Sequence, residues 1–223
     1  MSSFGLKIIA LLSMFCDHFG YIFFHKLTFL NIIGKIAFPI FAFQISEGYI
    51  HTKNLEKYFY RLLIFAIISQ IPFMLFLSNI SNNYLLLNIF FTLLLGLSAI
   101  TIYDKSSNKI IGIFLAICIA GISELLKCDY GWFGVTVIFL FYMFKNNKLW
   151  MNISIIISIL IKYVISFIQY PSSINMYLAI ATILSLIFIN LYNGKKGKNT
   201  KYLLYIFYPL HLMVLYIISF YLK

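Results

Sequence analysis

Hydrophobic residues run along this chain in long blocks, and polar residues gather between the blocks rather than alternating within them. A helix needs about 20 mostly apolar residues to cross a bilayer. Nine such stretches are read, at roughly 6–24, 28–50, 59–78, 84–103, 109–125, 130–144, 148–169, 174–192 and 201–222. The fifth and sixth are short, so counts of eight or ten stay open. The expected fold is all-α, a polytopic transmembrane helical bundle with its N-terminus inside. It is expected to form one integral membrane domain over residues 1–223. The first stretch is not expected to be cleaved. It continues past Asp17 as Gly20-Tyr21-Ile22-Phe23-Phe24 and shows no small-residue cleavage site.

Composition agrees. The chain is 62% hydrophobic and only 10% charged, against about 25% charged residues in soluble domains. The formal net charge is +11, yet it does not point to nucleic acid, because the basic residues sort by side of the membrane. With the N-terminus cytoplasmic, 12 of the 17 fall inside: Lys7, Lys53, Lys57, Arg61, Lys105, Lys109, Lys145, Lys148, Lys195, Lys196, Lys198 and Lys201. Four fall outside (Lys26, Lys35, Lys127 and Lys223), and Lys162 lies within a stretch. That bias is a positive-inside signal and supports an odd number of crossings. A multi-pass protein of a bacterial plasma membrane follows, with the lipid bilayer as its first partner. Cys16, Cys118 and Cys128 form no CxxC pair, so buried structural thiols are expected and no disulfide framework.

Polar residues at helical spacing inside such stretches mark the faces that look into a bundle. Such faces are Gln44-Glu47-His51, Asn88-Thr92-Gly96, Cys118-Gly121-Glu124, Ser154-Ser158-Lys162-Ser166 and Lys201-Tyr205-Tyr208-His211. Together they outline a polar cavity on two levels. Asp17, His18, Lys162 and His211 would form the outer one, and Glu47, His51 and Arg61 the inner one.

Asp17 and His18 are the sharpest feature. An ionisable group at that depth costs about 2.5–3.5 kcal/mol on insertion scales, and such residues usually serve proton transfer, substrate binding or ion passage. The plainer alternative is a helix–helix hydrogen bond. Lys162 is a candidate counter-ion for Asp17, and Glu47 and His51 at i and i+4 can simply bond each other. Adjacent helical positions point about 100° apart, so an acceptor orienting His18 is expected from another helix. No P-loop, GxGxxG, GxSxG or HExxH motif is present, and no histidine spacing argues for a metal.

Ile8-Ile9-Ala10-Leu11-Leu12-Ser13-Met14-Phe15-Cys16-Asp17-His18-Phe19-Gly20 resembles the opening block of the TraX family of integral membrane proteins. Further blocks resemble it too: Gly34 to Phe43, Glu47-Gly48 with His51-Thr52, Tyr58 with Arg61-Leu62, and Ser69 to Phe73. So do Asn88 to Gly96, Asp129-Tyr130-Gly131 and Phe207 to Leu212. The resemblance implies a membrane acetyltransferase. It would use acetyl-CoA as acyl donor, in the manner of pilin amino-terminal acetylation, and would be related to larger membrane acyltransferases.

On that resemblance His18 is the expected general base, with Asp17 holding a cation. Arg61 and Lys53 would meet coenzyme phosphates, with Glu47 and His51 along the inner passage. Asn88, Lys162, Tyr208 and His211 are candidates for the substrate and its oxyanion. The acceptor, a protein or an envelope glycan, is not readable from the sequence. A proton-coupled transporter or flippase, or a non-catalytic membrane scaffold, would use the same buried charges differently.

Overall fold

The computed structural model describes residues 1–24, 29–80, 86–198 and 202–221. Lys26, Lys201 and Lys223, three of the charges used for sidedness, lie outside the described residues. The named elements are all helices: α1 Ser3–Phe24, α2 Phe29–Gly34, α3 Ala37–His51, α4 Leu55–Ser78, α5 Ile89–Lys105, α6 Lys109–Leu125, α7 Gly131–Met143, α8 Lys148–Gln169, α9 Ile174–Asn190 and α10 Leu203–Tyr221. Helices α2 and α3 together make one apolar stretch, Phe29–His51. The described residues therefore hold nine helical stretches and no strand. Five of them are long and apolar enough to cross a membrane: Ser3–Phe24, Phe29–His51, Leu55–Ser78, Lys148–Gln169 and Leu203–Tyr221.

The boundaries that differ from the expected ones have local causes. Helix α4 starts at Leu55 rather than 59 because the Asn54 side chain accepts the Lys57 N–H at 2.8 Å, a side-chain cap that a hydropathy reading passes over. Helix α5 starts at Ile89 because Asn88 caps it in the same way, accepting from the Phe90 N–H.

The second stretch was expected as one helix and is broken at Lys35–Ile36. Pro39, the third residue of α3, has no N–H to return to the Lys35 carbonyl, and its ring would collide with that carbonyl in an unbroken helix. The chain instead makes two tight turns, Lys35 N–H to Ile32 O at 3.2 Å and Ile36 N–H to Ile33 O at 3.1 Å.

The chain groups into two compact units. The first comprises Met1–Phe41, Ile68–Tyr84 and Tyr163–Lys223. Within it α1 packs on α2 and α10, and α2 packs on α9. The start of α1 is tied to the lysine-rich loop after α9: the Ser3 N–H donates to Lys195 O at 2.8 Å and the Asn193 N–H to Met1 O at 3.0 Å. The N-terminus and that loop thus lie together.

The second unit comprises Ala42–Ile67 and Leu85–Lys162. Here α5, α6 and α7 pack on one another around Ala99, Ala116, Ile119, Ala120, Val135 and Phe139. The expected inward face of α6, Cys118-Gly121-Glu124, is exposed. Its buried face is Gly112, Ala116, Ile119, Ala120 and Ser123. The reason is steric: small residues let helix backbones approach closely without water to drive them together. The large side chains Ile110, Phe114 and Ile117 stay outside, where lipid is as good an environment as protein. The serine stripe of α8 does turn inward at Ser158, with Ile157, Ile161 and Val164 outside.

Gly96 of α5 lies so close to Ile138 of α7 that an added Cβ would overlap it, whereas Gly121 has no neighbour within 4 Å. Gly96→Leu is therefore expected to lower stability by about 1–3 kcal/mol, the usual overpacking cost. Gly121→Leu is expected to stay within about 0.5 kcal/mol of the wild type. Unfolding of the purified protein in mixed micelles measures both.

Candidate active site

Helix α1 buries one face that includes Ala10, Ser13, Met14, Asp17 and Gly20. Asp17 is 7% exposed, and a carboxylate so placed needs partners. Helix α2 supplies them from a single face, because Asn31, Gly34 and Lys35 stand at i, i+3 and i+4. The Asn31 amide donates to the Asp17 carbonyl at 2.9 Å and to its Oδ1 at 3.1 Å. Lys35 Nζ lies 3.0 Å from Oδ2 and 3.3 Å from Oδ1, and 3.4 Å from the Tyr21 hydroxyl. Gly34 makes this possible, since a Cβ there would overlap the Asp17 side chain. The cation on Asp17 is thus Lys35, from the neighbouring broken stretch, where the sequence had offered Lys162. Lys162 Nζ lies in the second unit, 4.3 Å from the centre of the Phe133 ring and 4.7 Å from that of Tyr130.

His18 turns away from that pair toward α10. Its Nδ1 lies 2.7 Å from His211 Nε2, and His211 Nδ1 lies 2.7 Å from the Phe207 carbonyl one turn earlier on α10. The orienting group for His18 does come from another helix. The two imidazoles are 15° from parallel with centroids 5.0 Å apart. With nitrogens 2.7 Å apart, that is two rings meeting edge to edge in nearly one plane, the direction in which a ring nitrogen offers its lone pair or proton. Phe76 and Tyr208 flank His18, with ring centroids at 4.8 and 6.4 Å. His211 is buried and His18 is partly so.

The other sequence candidates lie in the second unit. His51 Nε2 is 3.5 Å from Glu47 Oε2, and the His51 side chain is 67% exposed. The Arg61 guanidinium lies over the Tyr58 ring at 5.4 Å, and Lys53 is exposed. Asn88 is fully buried, and its side chain is committed to structure. Its Oδ1 caps α5, and its Nδ2 donates to the Ala66 carbonyl of α4 at 2.7 Å. That removes the reason for assigning it an oxyanion.

Sequence reasoning passed over a carboxylate in this unit. Asp104 accepts from Tyr49 at 2.8 Å and from Tyr142 at 2.5 Å, joining three helices at one end. Cys128, in the loop between α6 and α7, is buried, and burial first, then Asp129 and Glu124, pushes its thiol up to about 11. It stays a protonated, structural thiol. Among the described residues no group of three His, Cys, Asp or Glu side chains could hold a metal ion.

The model of the family described as "TraX protein" matches residues 2–219. The chain belongs to the TraX family. It is also 27% identical, over 96% of its own length and 94% of the relative's, to the "Probable fimbrial assembly protein FimC, serogroup H1" of Dichelobacter nodosus. No solved structure matches it.

The blocks that resemble TraX proteins fall on parts with clear physical tasks. The first carries Asp17 and His18. The block from Gly34 begins at the close contact with Asp17, then carries Lys35, the helix break and Pro39. Asp129-Tyr130-Gly131 forms the turn into α7, with Tyr130 and Gly131 at φ 65° and 44°. The Thr92 hydroxyl donates to the Asp129 carbonyl and holds that turn on α5. Phe207 to Leu212 is the turn of α10 that presents His211.

Asn88→Ala should lose an N-cap and a buried hydrogen bond, a destabilisation of about 1–3 kcal/mol. Asn88→Ser, which can still cap, should recover part of it. Thermal unfolding of the three proteins checks the order. Equal stability for all three would remove the structural assignment.

Proposed function

We propose that this TraX-family protein is a membrane-embedded acetyltransferase that moves an acetyl group from acetyl-CoA to an amine or hydroxyl acceptor. The observation that carries the reading is the placement of His18. A titratable ring sits on a membrane-length helix, hydrogen-bonded by a second histidine, beside a carboxylate whose charge is already balanced by Lys35. Histidine is the side chain that most often takes a proton from an attacking group. The name of the Dichelobacter relative, a probable fimbrial assembly protein, supports a pilus-related role and makes a pilus subunit's amine the first acceptor to try. A bacterial plasma membrane is the proposed location.

The reaction balances as follows. The acceptor nitrogen attacks the thioester carbonyl carbon, a C–N bond forms and the C–S bond breaks. The acceptor proton passes to His18, and His18 then gives it to the departing thiolate, which leaves as the thiol and returns the imidazole to its neutral form. Tyr208, beside His18, offers a hydroxyl to the oxygen that becomes negative in between, the kind of donor that stabilises an oxyanion. Asp17 and Lys35 act on the site by holding α1 and α2 in register. Arg61 and Lys53 are the proposed partners of the coenzyme's phosphates, with charge-assisted hydrogen bonds as the mode of contact.

Purified protein given radiolabelled acetyl-CoA and a membrane extract should transfer label to an acceptor. His18→Ala, which puts no new charge in lipid, should fold and lose at least ~10²-fold in transfer, the lower range for removing a general base. Arg61→Ala should raise the KM for acetyl-CoA about tenfold or more, as loss of a charge-assisted contact predicts, with a smaller effect on kcat. Wild-type transfer by a stable His18→Ala protein would end the base assignment. Uptake of a solute without label transfer would favour a transporter.

A further inference from the structure

We infer that His211 is a positioning residue that fixes the tautomer of His18, so that Nε2 is the basic nitrogen of the pair. The inference rests on the proposed function for its consequence, not for its geometry.

The hydrogen-bond relay begins at the Phe207 carbonyl. A carbonyl oxygen only accepts hydrogen bonds. His211 Nδ1, 2.7 Å away, must therefore carry a proton. In a neutral imidazole one nitrogen donates and the other accepts, so His211 Nε2 is bare. His18 Nδ1 lies 2.7 Å from that bare nitrogen, nearly in the plane of both rings, and must be the donor. The remaining nitrogen of neutral His18, Nε2, then holds a lone pair and no proton. Among the described residues the His18 ring makes no other hydrogen bond, so nothing in this set consumes that lone pair. The direction of the whole relay is set by the α10 backbone, through the Phe207 carbonyl.

The anchor is rigid by construction. Phe207 and His211 are i and i+4 on α10, one helical turn apart, and their rings lie 13° from parallel with centroids 4.9 Å apart. A carbonyl oxygen has two lone pairs, so Phe207 can serve this side chain beside its ordinary helical bond. Asp17 cannot do the same for His18: its oxygens are held by Asn31 and Lys35, and adjacent helical side chains diverge. In the proposed reaction the acceptor's proton moves to His18 Nε2, giving an imidazolium. Its Nδ1–H bond to His211 becomes charge-assisted and stronger, and the proton on His211 Nδ1 does not move. The logic is that of an orienting group behind a catalytic histidine, with a neutral, carbonyl-anchored imidazole in the orienting place.

The test is solid-state NMR of the full chain in lipid nanodiscs, with ¹⁵N-labelled histidine and with His25 and His51 replaced by Gln. The expected wild-type spectrum has protonated Nδ1 and bare, pyridine-like Nε2 on both remaining histidines. His211→Leu should move proton density on His18 from Nδ1 to Nε2. His211→Gln, whose side-chain oxygen can accept where Nε2 did, should restore the wild-type tautomer. A wild-type His18 protonated at Nε2 overturns the inference, with no variant needed. So does a His18 tautomer that ignores His211→Leu.

Label transfer is read separately. The expected pattern is a kcat loss of ~10²-fold or more in His211→Leu with the KM for acetyl-CoA little changed, since a wrongly tautomerised base binds substrate but cannot take its proton. In His211→Gln the expected outcome is recovery of most of that loss. The predicted tautomers with no transfer under any condition would fail the proposed function and leave the His211 assignment standing. Transfer with the opposite tautomer would do the reverse.

Discussion

The ion pair between Asp17 and Lys35 is the constraint on which the rest of the first unit depends. A carboxylate on a membrane-length helix must be compensated, and removing one partner of a buried pair is far more damaging than never having had it. Three features of the second stretch meet that demand together. Gly34 removes the side chain that would hold α2 off Asp17. Asn31, one turn away, donates a further hydrogen bond to Oδ1. The break at Lys35–Ile36, with Pro39 just beyond it, ends α2 where its lysine meets the acid.

The pair also explains how His18 can be presented as it is. Neighbours on a helix share an element but not a direction. Once Asp17 is committed to α2, His18 is turned toward α10, where His211 and the Phe207 carbonyl meet it. One helix thus carries a carboxylate paired with α2 and, one residue on, an imidazole paired with α10. The helix belongs to a TraX-family chain with a relative named for fimbrial assembly.

Much of this was legible in the sequence because the length of a hydrophobic run is a one-dimensional property. The nine stretches, the all-helical class and the prominence of Asp17, His18 and His211 needed only the chain itself. What failed needed knowledge of neighbours. The α6 face was misread because a polar stripe and a small-residue stripe compete for the inside, and only the packing of α5 and α7 shows that Gly112, Ala116 and Ala120 win. Lys35 was counted only as an outer-side charge because Pro39 does not, by itself, say that the helix stops before it. Asn88 was read as a reactive donor where it is a cap, and a cap is recognised only once the helix start is known. A polar face of Asn31, Gly34 and Lys35 at i, i+3 and i+4 was available as a signal and would have named the partner of Asp17.

The most direct measurement of the central claim is a double-mutant cycle on Asp17 and Lys35, read as unfolding free energy of the purified protein in mixed micelles. The account predicts that Lys35→Met alone costs about 3–5 kcal/mol, because it strands a buried carboxylate. Adding Asp17→Leu should recover a large part of that loss, with a coupling of about 2–3 kcal/mol. Additive effects, or a Lys35→Met protein as stable as the wild type, would contradict it and leave the depth of Asp17 without a physical explanation.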